Sequence, residues 1–116
     1  MLNMLKEYIA VLDEVPDHMV PVLVAHAVLG AHLPYCWRAD RSAAENYDQW
    51  LADSFRKCVV RVNRKEFEKM RALPLVYEAH ENTTLNGEVS CLVLCPREDW
   101  PNVVKFAKLW SPVTVA

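Results

Sequence analysis

The apolar run at residues 19–33 constrains the fold more than any other feature of this chain. It contains no Asp, Glu, Lys or Arg, and it is too long for a strand. Such a run predicts a helix that is buried on most sides, with His26 as a core histidine. Asp17 is a suitable N-cap for this helix, Pro21 is tolerated in its first turn, and Pro34 ends it.

A second apolar run, residues 89–95, predicts a strand that is apolar on both faces and therefore central in a sheet. Three other strands are predicted at residues 7–13, 57–62 and 75–79. Three more helices are predicted: one capped by Ser42 and ending near Phe55, one over residues 64–72 capped by Asn63, and one from Asp99 to about Lys108. The 116 residues fit one domain, residues 1–116. The expected fold is α/β, with three α/β/α layers and a mixed sheet of about four strands.

The formal net charge of −2 does not indicate a chain that binds nucleic acid by charge alone. Seven basic residues nevertheless crowd into residues 56–71: Arg56, Lys57, Arg61, Arg64, Lys65, Lys69 and Arg71. This basic stretch is either a solvated strand end and helix face or an edge that contacts phosphates. Both interpretations stay open at the level of sequence.

The four cysteines, Cys36, Cys58, Cys91 and Cys95, match neither a zinc ribbon nor a CxxC redox pair. Cys91 and Cys95 lie on one strand, roughly 13 Å apart, which is too far for one metal ion. No metal and no cofactor is therefore expected. No signal peptide and no membrane-spanning run is recognised, which predicts reduced thiols and a cytoplasmic location.

Two motifs carry a resemblance to a known family. His26-Ala27 match the end of a G-K-x-x-A-Q-x-x-H-A motif laid over residues 18–27. Ala79 and Pro96 match a second signature, in which D-A-G-x-T is followed by a strand that ends in G-P. With this order of strands and helices, the chain resembles the type II peptidyl-tRNA hydrolase superfamily over most of its length.

The resemblance implies cleavage of the ester between a peptide and the tRNA ribose, but most of the polar positions differ. The family's lysine falls on Met19 and its glutamine on Leu23, so the cation that would stabilise an oxyanion is missing. The family's aspartate falls on Glu78, which keeps a carboxylate. His18 and His80 fall where the family has glycines.

These positions give the candidate catalytic residues. Glu78, with Asn82 or Thr83, would orient water, and His18 or His80 would replace the lost lysine. Each also has an ordinary explanation as an exposed carboxylate, a loop histidine or a turn former.

Three functions stay open. The chain is a hydrolase of peptidyl-tRNA or a related acylated substrate, a non-catalytic relative that binds tRNA or a small molecule in the same cleft, or a homodimeric interaction module. In the last case, the apolar helix and residues 34–37, with Trp37 and Arg38, would carry the interface.

Overall fold

One mixed sheet of five strands organises the chain. The computed structural model describes residues 5–34 and 36–113. Its strands are β1 (Lys6–Leu12), β2 (Arg56–Val62), β3 (Val76–Ala79), β4 (Cys91–Arg97) and β5 (Lys108–Leu109), in the spatial order β3-β4-β1-β2-β5. β1 is parallel to β2, whereas β4 is antiparallel to both β1 and β3, and β5 is antiparallel to β2.

The expected α/β class is confirmed, but the expected count of about four strands is wrong. The last helix was predicted to reach about Lys108. Instead, α4 (Asn102–Lys105) is a single turn, and the chain then runs along β2 as β5. The amide of Trp110 donates to the Val59 carbonyl at 2.8 Å. This short strand covers backbone groups that would otherwise stand unpaired at the β2 edge.

Three longer helices pack on the sheet: α1 (Val20–His32), α2 (Arg41–Ala52) and α3 (Arg64–Arg71). α1 contacts β1, β3 and β4, α2 contacts β4, and α3 contacts β1, β2 and β3. The predicted central strand is confirmed, because residues 91–96 of β4 are all buried.

The structure confirms the predicted cap of α3 but not the predicted cap of α2. Asn63 caps α3 as expected, and Glu66 completes a capping box with it. The cap of α2 is Asp40, not Ser42: one Asp40 carboxylate oxygen accepts from the Ala43 amide at 2.9 Å. Asp is as good an N-cap as Ser, and it starts the helix one residue before Ser42.

α1 approaches β3 closely at Gly30. A Cβ atom at Gly30 would lie 2.5 Å from the hydroxyl oxygen of Tyr77 and 3.2 Å from its Cζ. The lack of a side chain at this position therefore sets how closely the helix packs on the edge strand.

The outer face of α1 differs from the prediction of a helix buried on most sides. His26, which was predicted to be a core residue, is exposed. Val22, Leu29 and Leu33 are also exposed, at 55%, 54% and 72% of their surface. The sheet covers the opposite face, where Leu23, Ala27 and Ala31 are buried.

A carboxyl group lies in the core. Glu7, on the central strand β1, is 1% exposed, and its Oε1 atom has no hydrogen-bond partner within residues 5–34 and 36–113. Burial raises the pKa of Glu7 to about 7, against the opposing charge of Lys57, its register partner on β2.

Candidate functional site

The topology places the C-terminal ends of β1, β2 and β3 at the same end of the sheet. β1 and β2 are parallel, and β3 points the same way because β3 and β1 are both antiparallel to β4. The segments that follow β1 and β3 therefore emerge on the same side. The carboxyl ends of strands in open α/β sheets are the usual place for a ligand.

A small cleft lies at this end of the sheet, beside the C-terminal ends of the strands. It has a volume of about 180 Å³ and is lined by His18, Met19, Val22, Glu81 and Thr83. His18 and Met19 belong to a short 3₁₀ segment that connects β1 to α1, and Val22 lies in the first turn of α1. The structure thus brings together two of the predicted residues, His18 and Thr83, and adds Glu81, which was not predicted.

Glu81 is held by the loop that it begins. Its Oε2 atom accepts from the Thr83 amide at 2.9 Å, from the Thr83 hydroxyl, and from the Thr84 hydroxyl at 3.3 Å. These bonds, first that of the Thr83 hydroxyl, hold the pKa of Glu81 below its ordinary value, and the charge of His26 contributes less. The carboxylate is therefore ionised at neutral pH, and its Oε1 atom makes no hydrogen bond within the described residues.

Thr84 anchors this loop to the 3₁₀ segment that precedes α1. Its side chain is buried, and its hydroxyl oxygen lies 3.5 Å from the sulfur of Met19. Its amide also donates to the Glu81 carbonyl at 3.0 Å, which closes a turn. The 3₁₀ segment and the 81–84 loop are thus joined across the cleft.

Glu78 has a different partner. It lies on β3, and both of its carboxylate oxygens accept from Arg71, each at 3.0 Å. This ion pair holds the pKa of Glu78 below its ordinary value. Glu78 is not among the residues that line the cleft, so its predicted water-orienting role would need a different place.

His80 and Asn82 are the other predicted site residues. Both side chains are exposed, and neither makes a hydrogen bond within the described part of the chain. Neither lines the cleft. The proposed constellation of His18 and His80 around Glu78 is therefore not assembled in this conformation.

Much of the charge in the basic stretch is paired. Arg61 bonds to Asp17 at 3.0 Å, and Arg64 bonds to Glu14 and to Glu88, both at 2.6 Å. Arg71 bonds to Glu78 and Glu68. Because these arginines already have carboxylate partners, the stretch is less suited to hold phosphates than its sequence indicates. Within the part of the chain that the structure describes, no lysine or arginine lines the cleft.

Residues 34–37, which were proposed to carry an interface, do not present Trp37 as a contact residue. Trp37 is 3% exposed and packs on Tyr47, with ring centroids 6.3 Å apart, so it is a core residue and not a contact surface. Arg38 is exposed, and Tyr35 lies outside the described residues.

Sequence reasoning missed Glu81 because the motif comparison placed the family's acid on Glu78. The available signal was the Glu-Asn-Thr-Thr order at residues 81–84. An acid followed by hydroxyl residues two and three positions later can bond to the following turn.

Comparison with known proteins gives no assignment, since no family model and no curated protein matches the chain. Within residues 5–34 and 36–113, no helix is long and apolar enough to cross a membrane. In the same ranges, no three His, Cys, Asp or Glu side chains lie together as a metal site.

Proposed function

We propose that the chain is a divergent relative of the type II peptidyl-tRNA hydrolase superfamily that binds a small, hydrogen-bond-donating molecule at Glu81. The fold is compatible with this ancestry. The connection from β1 to β2 and that from β2 to β3 run in opposite directions along the sheet. Right-handed crossovers would then place α3 on the opposite face from α1 and α2, as in a three-layer domain.

The observation that carries the proposal is a fixed, ionised carboxylate in a cleft with no lysine or arginine among the described residues that line it. Glu81 is bonded through one oxygen, and the other oxygen makes no bond within the described residues. Because the loop already orders the carboxylate, little side-chain entropy is lost when a ligand binds to it. A negative charge favours an ammonium or amide donor and repels phosphate.

The size of the cleft limits the ligand. About 180 Å³ is below the usual range for drug-sized molecules. The cleft accommodates a group such as the amino end of one amino acid, whereas a nucleotide would extend beyond it. The same charge and size argue against the tRNA backbone as the group bound here.

This proposal can be tested with L-alaninamide, which carries an ammonium and an amide but no carboxylate. An NMR titration should shift the amide signals of Thr83 and Thr84, with a dissociation constant on the order of millimolar because the ligand has few atoms. Glu81→Gln should weaken this binding about tenfold or more by removing the charge. Glu78→Gln is the matched control and should leave binding unchanged.

Binding that survives Glu81→Gln would contradict the proposal. So would binding of inorganic phosphate that shifts the same two amide signals in the wild-type protein.

Hydrolysis is a second candidate, favoured by the meeting of His18, Glu81 and Thr83 in one cleft. A base and a hydroxyl could orient a water molecule there, and the His18 ring could donate a hydrogen bond to an oxyanion. The assay is release of N-acetyl-aminoacyl groups from tRNA. A hydrolase of this design should lose about a hundredfold in rate with Glu81→Gln and keep its rate with Glu78→Gln. No release above buffer would remove this candidate and leave the binding proposal standing.

A further inference from the structure

A groove between α1 and α2 is separate from the cleft at the strand ends. Its volume is about 290 Å³. It is lined almost entirely by apolar and aromatic side chains, with three polar groups among them: Ala25, Val28, Leu29, His32, Tyr47, Trp50, Leu51, Phe55 and Lys57. Among the described residues, none that lines it is acidic.

The polar groups of the groove have defined places. The Nδ1 atom of His32 and the hydroxyl of Tyr47 are 2.9 Å apart, so they satisfy each other. Lys57 donates to the Phe55 carbonyl at 2.8 Å, and its Nζ atom lies 3.2 Å from the centre of the Phe55 ring and 5.1 Å from that of Trp50. The groove thus has aromatic walls and one ammonium.

The Lys57 ammonium makes no direct ion pair within residues 5–34 and 36–113. The carboxyl that its charge does reach is that of Glu7, its register partner on β1, which is buried in the core and does not line the groove. Lys57 is an exposed residue at the start of β2, where a ligand can reach it. An anion that meets it would gain a charge-assisted bond without displacing an existing ion pair.

Phe55 adds an independent observation. Its φ is 51°, in the left-handed region that bulky residues rarely adopt, and its side chain is 54% exposed. It follows the end of α2, where its amide donates to the Trp50 carbonyl at 2.8 Å. Glycine is the usual residue for such a position. The left-handed turn at this position leaves the phenyl ring exposed at the edge of the groove, where it forms one wall.

We propose that this groove binds a small aromatic carboxylate, with the ring between Leu29 and Phe55 and the carboxylate on Lys57. Charge complementarity selects this occupant. A second copy of the chain is less suitable, because a two-fold contact centred on the groove would bring two Lys57 ammonium groups close together without acids to pair them. The site is independent of the function proposed for the Glu81 cleft.

The test compares 2-naphthoate with the naphthalene-2-methylammonium ion, which has a similar ring and the opposite charge. In NMR titrations followed on the methyl signals of Ala25, Val28 and Leu29, the anion should bind about tenfold or more tightly than the cation. Lys57→Gln should remove this preference. Lys65→Gln is the control, because Lys65 is an exposed lysine on α3, outside the groove.

Phe55→Gly separates binding from folding. It relieves the left-handed strain, so the variant should stay folded while it loses about tenfold in affinity for 2-naphthoate. Equal binding of anion and cation, or unchanged binding in Lys57→Gln, would overturn the proposal. It would also be overturned if sedimentation shows a dimer that Leu29→Lys dissociates and the groove of the wild-type protein binds no naphthoate.

Discussion

Replacing the buried Glu7 by Gln should change how the stability of the protein depends on pH. Glutamine keeps the size of the side chain but cannot ionise. Folding moves the pKa of Glu7 from its ordinary value of 4.5 to about 7, chiefly by burial. Each pH unit corresponds to about 1.4 kcal/mol, so this change amounts to about 3 kcal/mol.

The sign follows from which state holds the proton. Between pH 4.5 and about 7, the folded protein keeps the Glu7 proton and the unfolded chain releases it. The free energy of unfolding of the wild type therefore falls over this interval and levels off above it. In Glu7→Gln this contribution is absent. Relative to the wild type, the variant should gain about 3 kcal/mol between pH 4.5 and 8.5.

The groups around Glu7 support burial as the main cause of its raised pKa. The groups that sense its charge are Lys57 on β2, Cys95 on β4, Tyr47 on α2, and Cys36 between α1 and α2. Lys57 is the only cation among them, and its charge lowers the pKa of Glu7 less than burial raises it. Burial first, and the charge of Glu7 second, raise the pKa of Tyr47 to about 12, so Tyr47 does not titrate in the same interval.

The assay is urea unfolding, followed by circular dichroism at several pH values from 4.5 to 8.5. Glu78→Gln serves as the control, because that carboxylate is exposed and its pKa is lowered by Arg71. Because its pKa in the folded protein lies below 4.5, Glu78 changes the pH dependence of stability chiefly below pH 4.5. The difference in the free energy of unfolding between Glu78→Gln and the wild type should therefore stay constant from pH 4.5 to 8.5. If the Glu7→Gln difference changes by less than about 1 kcal/mol, the reasoning about the buried carboxyl is wrong.

Two further predictions concern packing and capping. Gly30→Ala should destabilise the protein by about 1–2 kcal/mol, because the new Cβ would press on Tyr77; combining it with Tyr77→Phe should recover part of the loss in a double-mutant cycle. Asn63→Ala should cost about 1 kcal/mol in urea unfolding by removing the capping box that Asn63 forms with Glu66, and Asn63→Asp should keep most of that stability.

The sequence predicted those parts of the fold that depend on local patterns. The apolar runs located α1 and the central strand β4, and the local cap of Asn63 located the start of α3. The two-residue strand β5 could not be predicted, since it exists only because the edge of β2 is available to the tail. The exposed face of α1 was missed because an apolar run does not indicate which side its neighbours cover.

Glu7 and the Glu81 cleft could not be predicted either, because both depend on contacts between residues far apart in sequence. A carboxylate at the start of a strand usually lies at the surface, and Glu7 is buried only because long-range pairing makes β1 an inner strand. The motif comparison gave positions along the chain and not their partners. It therefore could not show that Arg71 would engage Glu78, or that Thr83 and Thr84 would fix Glu81 instead.

The pairing of β1 has a consequence for how the chain folds. Its parallel neighbour begins at Arg56, and its antiparallel pairing extends from Lys6 to Arg97. Both contacts are far apart in sequence, which favours slower folding than in a helical domain with mainly local contacts. During synthesis, β1 and α1 emerge before β4, which is the last of the three inner strands along the chain. A nascent chain that stops before Cys91 lacks the strand between β1 and β3, and it exposes the surface that makes folding intermediates aggregate.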